Sequence, residues 1–140
     1  MRIFHVVVIS SDVALEAVER VKADLLVART AGAVAFEALE LGTRIAPQVR
    51  DGVFDGRIRT GDGGGDHVLV VTLNDEAALE AYYRAPAHSS IRERFLSAAS
   101  PEIAALYAKA AADPSPSAEH YEAIEHLAEG FMKRLDLSLP

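Results

Sequence analysis

The sequence contains no cysteine and no tryptophan, and phenylalanine and tyrosine make up only 6% of its 140 residues. Without cysteine there is no disulfide framework, no thiol nucleophile and no thiolate metal site. No apolar run approaches the roughly 18 residues that a membrane span needs, so no membrane partner is expected. Basic residues are also scarce: 14 Lys and Arg stand against 21 Asp and Glu, for a net charge of −7 and a pI near 5.2. A phosphate backbone calls for a basic face, and this balance argues against nucleic acid as a partner. The N-terminus lacks the basic-then-apolar pattern of a secretion signal, which makes the cytoplasm the expected location. What is present is a chain of one-domain length with half its residues apolar. A compact fold of that size buries roughly two-thirds of its unfolded surface and needs no covalent staples.

The opening stretch "RIFHVVVIS" (2–10) is apolar on both parities, the signature of a strand covered on both faces. From Asp12, the spacing of Leu15, Val18, Val21 and Leu25 predicts an amphipathic helix that Gly32 ends. A second strand is expected over 33–41, although its alanines and glutamates suit a strand poorly. Residues 42–66 hold seven of the nine glycines and read as a long loop, with a short hairpin around 53–58. "HVLVVTL" (67–73) repeats the pattern of the first strand. Asn74 is the expected N-cap of the helix "DEAALEAYYRA", whose acidic first turn suits the positive end of the helix dipole. Pro86 biases Ala85 out of helical geometry and suits the first position of a new helix, so the chain restarts at an angle. Helices follow over 86–100, 101–112 and, after "DPSPS", 118–133, and "RLDLSL" (134–139) alternates as a half-buried strand.

The order β-α-β-β-α-β predicts an α+β, ferredoxin-like antiparallel sheet with helices on one face. That topology leaves the second apolar face of the first and third strands bare. A second copy of the chain is the economical cover, so a homodimer with facing sheets, closing an α+β barrel, is expected. If each subunit hides roughly 800 Å², the gross hydrophobic term is on the order of 20 kcal/mol per subunit before association costs.

"FHVVVIS", "DHVLVVTLNDEAALEAYYRAPAH" and "LDLSL" together resemble the dimeric α+β barrel family, also called the stress-responsive A/B barrel (Dabb) domain. The resemblance covers about two-thirds of the chain. The long loop at 42–66 and an inserted helix and linker at about 97–117 depart from it. The best-understood chemistry in the family is that of an olivetolic acid cyclase-like polyketide cyclase, which closes an aromatic ring by aldol-type condensation. The resemblance maps the catalytic positions of such an enzyme onto His88 and Tyr82, onto His5 and His67 of the first and third strands, and onto Asp136 of the last. Ala85 stands where the family has a further histidine. No cofactor is implied.

The chemistry is coherent on these residues. His88 falls in the first turn of its helix, where the dipole disfavours an imidazolium, so it can serve as a neutral base. Tyr82 can donate to a carbonyl on which negative charge develops, and Asp136 can fix the tautomer of a neighbouring histidine. Each residue also has a plainer reading. Tyr82 and Tyr83 both fit core positions, His5 and His67 can be satisfied buried polar groups, and Asp136 sits on the polar parity opposite Leu135, Leu137 and Leu139, which suits a solvated side chain.

Other motifs carry less. "GDGGGD" (61–66) is acidic and leads into a strand, so it is no phosphate cradle. His120 and His126 miss the i, i+4 spacing of helical metal ligands. Arg44, Arg50, Arg57 and Arg59 make the loop locally basic, either as a solvated face or as a lid that attracts a carboxylate or thioester substrate. The expectation is a homodimer that binds a small organic molecule in an apolar pocket and performs cofactor-free acid–base chemistry with His88 as base. A non-catalytic ligand-binding or stress-response barrel and a cofactor-independent monooxygenase of related fold remain alternatives.

Overall fold

A computed structural model describes residues 1–43 and 66–140. The expected hairpin at 53–58 and the arginines Arg44, Arg50, Arg57 and Arg59 lie outside the described residues. Nine elements follow along the chain: β1 (Arg2–Ile9), α1 (Leu15–Thr30), β2 (Ala38–Thr43), β3 (His67–Leu73), α2 (Glu76–Arg84), α3 (Pro86–Ala99), α4 (Pro101–Ala112), α5 (Ala118–Ala128) and β4 (Met132–Leu139).

The four strands form one sheet in the order β2-β3-β1-β4, with every neighbouring pair antiparallel. This is the ferredoxin-like arrangement that the element order implies. Strand alternation then sorts the side chains. Ile3, His5, Val7 and Ile9 of β1 share a face with Leu69, Val71 and Leu73 of β3 and with Arg134 and Asp136 of β4, as the cross-strand register requires. α1 and α3 cover this face. One core cluster there includes Ile3, Leu25, Phe36, Val71, Leu73 and Ile91, and a second includes Ile9, Val18, Leu69, Leu96, Ile103 and Ile124. α4 packs on α3 and α5 on α4, so the stretch read as an insertion extends the helical layer sideways.

The opposite face carries Phe4, Val6 and Val8 beside Val68 and Val70, and next to them Leu135, Leu137 and Leu139. These three leucines are 56%, 43% and 46% exposed in the single subunit. The alternation in β4 is therefore inverted relative to the simplest reading: its leucines point away from the helices, and Asp136 points towards them.

Several boundaries differ from expectation, each for a local reason. β2 begins at Ala38 rather than 33, because Val34 and Phe36 turn into the core on the crossover before ladder pairing starts. Asp75, not Asn74, caps α2: its carboxylate accepts from the Ala78 N–H at 2.8 Å, while the Asn74 amide donates to Glu37 at 2.9 Å. α5 stops at Ala128, and the Gly130 N–H closes a turn onto Leu127 that releases the chain into β4. Gly32 does end the α1 region, in the left-handed conformation with φ of +76°. Among the described residues no helix is long and apolar enough to cross a membrane.

Candidate active site

The site grows from three local decisions in the chain. β1 places His5 on the helix-covered face, where it is only 2% exposed. β4 runs antiparallel beside it and sets Asp136 directly across from His5 in the register. α2 ends at Arg84 and α3 restarts at Pro86, with Ala85 extended (φ −62°, ψ 126°) between them. That elbow brings Tyr82 and Tyr83, at the end of one helix, against His88, in the first turn of the next.

The result is a cluster of four rings. Tyr82 and His88 stack in a tilted pair with centroids 4.5 Å apart, and His5 lies 5.6 Å from Tyr82 and 5.1 Å from Tyr83. His5 Nδ1 is 2.6 Å from Asp136 Oδ1. The Tyr83 hydroxyl donates to Asp136 Oδ2 at 2.9 Å, and its oxygen lies 3.0 Å from His5 Nδ1. A carboxylate only accepts, so the His5 proton sits on Nδ1 and Nε2 keeps its lone pair.

Burial sets the electrostatics. It lowers the pKa of His5 from the ordinary imidazole value, against the opposing pull of the Asp136 hydrogen bond. Burial also takes His88 down to about 4, helped by His5 and Arg92. Tyr82 is driven well above the ordinary phenol value by burial and by Tyr83, and Tyr83 is pushed up to about 12 by burial and Asp136. Near neutral pH the cluster therefore holds two neutral imidazoles and two protonated phenols.

A cavity of about 60 Å³ opens beside these groups. His5, Tyr82 and His88 form its polar end, and Leu25, Leu69 and Phe95 its apolar end. A wider hollow of about 750 Å³, walled by Tyr83, Tyr107, Asp113, Tyr121 and Glu125, adjoins it. His88, Arg92 and Arg134 line both.

Four of the five residues singled out in the sequence, His5, Tyr82, His88 and Asp136, meet in this cluster. His67 does not. It pairs with Ile9 at the far end of β3, buried, with Nε2 3.1 Å from the Val13 carbonyl and no partner for Nδ1 among the described residues. Asp136 is not merely solvated; it is the acceptor that joins β1 to α2. Tyr83 carries the bridging hydroxyl that the sequence reading gave no role, and a helix rotation of about 100° between neighbours, which sends Tyr82 into the core and Tyr83 towards β4, is the signal that distinguishes them. Among the described residues no group of three or more His, Asp or Glu is placed to hold a metal ion, and His120 instead meets Asp113 at 3.3 Å.

No family model and no curated protein matches the sequence. Among solved structures the chain is similar to the hydroxynitrile lyase of Passiflora edulis, at 14% identity over 99% of this chain and 97% of that one, with a TM-score of 0.50. It is also similar to a dimeric ferredoxin-like protein of unknown function from Jannaschia sp. CCS1, at 15% identity over 99% and 100% of the two chains and a TM-score of 0.49. A dimeric ferredoxin-like protein of unknown function from Thermobifida fusca YX is 15% identical over 99% of this chain and 92% of that one, with a TM-score of 0.47. At such identities the likeness concerns architecture alone: this is an α+β protein of ferredoxin-like fold.

Proposed function

We propose that the chain works as a homodimeric α+β barrel enzyme that performs acid–base chemistry, without a bound cofactor, on a small carbonyl compound or an adduct of one. The observation that carries the reading is the 2.6 Å contact of His5 with Asp136 at the end of an apolar cavity. It presents Nε2 as a base of fixed tautomer. The sequence points to His88 for that role, but among the described residues His88 has no carboxylate partner, and its pKa of about 4 makes it a weak base. His5 takes the proton, Asp136 and Tyr83 hold its ring, and His88 packs Tyr82 into place.

In the simplest step, His5 Nε2 removes a proton from the carbon next to a carbonyl while the Tyr82 hydroxyl donates to the carbonyl oxygen, which becomes the enolate oxygen. In an aldol-type condensation of the polyketide cyclase kind, the enolate carbon then attacks a second carbonyl, whose oxygen receives the proton. The same groups can cleave a cyanohydrin: the hydroxyl proton goes to Nε2, the carbon–cyanide bond breaks, and cyanide leaves with the proton. The inner cavity accepts the reacting end, and the wider hollow accepts the rest of a larger substrate. The dimer is supported by the apolar outer sheet face, which no described element covers.

The test follows exchange and cleavage directly. Proton NMR in D2O reports loss of α-hydrogens from short ketones, and ultraviolet absorbance reports aldehyde release from an aryl cyanohydrin. Enzyme-dependent turnover of either kind is expected, with His5→Gln slower by about 100-fold or more. Absence of turnover on both substrate types, or a His5→Gln rate equal to wild type, would overturn the proposal.

A further inference from the structure

The throat between the two cavities holds more hydrogen-bond donors than the protein uses. Arg92 of α3 and Arg134 of β4 both line it, and they share one acid: Arg92 Nη2 lies 2.6 Å from Glu125 Oε1, and Arg134 Nη2 lies 3.3 Å from Glu125 Oε2. The Arg92 contact is an ion pair without the alignment of a hydrogen bond, and Arg92 Nε is buried with no acceptor among the described residues. The Tyr107 hydroxyl is a hydrogen-bonding neighbour of the same guanidinium and takes up part of its donor capacity. Two guanidinium groups thus line the throat against the single carboxylate of Glu125, and that local excess of cation, with part of the Arg92 guanidinium unmatched by an acceptor among the described residues, points to an anionic ligand oxygen. Glu93 and Asp113 also line the wider hollow, so the attraction is local to the throat and is not a field over the whole opening.

We propose that the ligand of this site carries a carboxylate, held at the throat by Arg92 and Arg134, with a short apolar chain or ring lying in the inner cavity. A guanidinium fork matches the two oxygens of a carboxylate better than it matches a neutral amide or hydroxyl. The cavity of about 60 Å³ sets the size of the apolar part. At roughly 10–15 Å³ per water-sized group, it accepts about four to six non-hydrogen atoms. The inference rests on the proposed function only in placing the ligand in the same cavity. It narrows the substrate class to short-chain or aryl carboxylates with the carbonyl on the His5 side.

Glu125 gives the inference a two-sided test, because it competes with the ligand for the same two cations. Isothermal titration at pH 7 compares hexanoate with its neutral isosteres hexanamide and 1-hexanol. Hexanoate is expected to bind about tenfold or more tightly than hexanamide, the margin of a charge-assisted hydrogen bond over a neutral one. Arg92→Gln removes that preference, and Glu125→Gln strengthens hexanoate binding several-fold while leaving hexanamide unchanged. If Arg92→Gln does not fold, by far-UV circular dichroism, Arg134→Gln and Glu125→Gln decide the matter. Equal binding of hexanoate and hexanamide, no binding of any of the three, or weaker hexanoate binding by Glu125→Gln overturns the inference. Binding is read without turnover. Preferential hexanoate binding by a catalytically silent protein counts against the proposed function alone, and catalysis without the preference counts against this inference alone.

Discussion

Replacing Leu137 by glutamate puts a charge on the outer sheet face, on the edge strand β4 and across from Phe4 in the β1–β4 register. In one subunit Leu137 is 43% exposed. Complete burial of a leucine side chain contributes about 1.5–3 kcal/mol, so covering the remaining fraction is worth about 0.6–1.3 kcal/mol. A two-fold interface counts every substitution twice, and Leu137→Ala should therefore cost about 1–2.5 kcal/mol of dimer stability, a rise in Kd of about 5- to 60-fold. Leu137→Glu adds two carboxylates to a dry interface, at several kcal/mol each, which lifts the Kd by about a thousandfold or more. Sedimentation equilibrium at micromolar concentration reads the outcome as a mass of one or two 15.0 kDa subunits. Wild type is expected as the dimer and Leu137→Glu as a folded monomer. Val27→Glu supplies the control, because Val27 is 69% exposed on α1 and a charge there should leave the dimer intact. A wild-type chain that sediments as one subunit, or a Leu137→Glu variant that stays dimeric, refutes the reasoning.

Two further outcomes concern the stability of the chain. His88 titrates at about 4 in the folded state against 6.5 unfolded, so between those values the unfolded chain binds more protons and stability falls as the pH drops from 6.5 towards 4. The full effect is at most about 3 kcal/mol, and urea titrations should show a shallower acid loss for His88→Gln than for wild type; parallel curves would contradict the burial of its ring. At Gly32, φ of +76° disfavours a side chain although nothing lies within 4 Å of an added Cβ. Gly32→Ala should therefore cost about 1 kcal/mol from backbone strain alone, and an unchanged denaturation midpoint would refute that.

The elements most legible in the sequence were those whose pattern and environment agree. β1 and β3, apolar on both parities, are the two central strands, and Pro86 breaks the helix where its missing N–H and its effect on Ala85 require. Asp136 shows where a pattern alone misleads. In an alternating strand the polar parity ordinarily faces water, but here the leucine parity belongs to the uncovered sheet face, and the carboxylate turns inward to meet His5. Only the register of β4 against β1, a long-range fact, decides between the two. His67 shows the opposite case: it has the same residue type on the same face as His5, but antiparallel pairing places it beside Ile9, four residues along β1 from His5 and outside the cluster. Sequence parity reports a face and not a position along it. Tyr83 was hidden by Tyr82, since adjacent tyrosines both fit an apolar spacing until the neighbours of each hydroxyl are known.

The sharp bend at Ala85 also divides responsibilities along the chain. The groups proposed to handle protons are supplied by β1, β4 and the two helix ends that meet at this bend, all within the ferredoxin-like frame. Much of the outer wall, through Tyr107, Asp113 and Tyr121, comes from α4, α5 and the turn joining them. Evolution, or an engineer, can thus rewrite residues 101–128 to suit a differently shaped molecule while the cluster of His5, Asp136 and Tyr83 stays put.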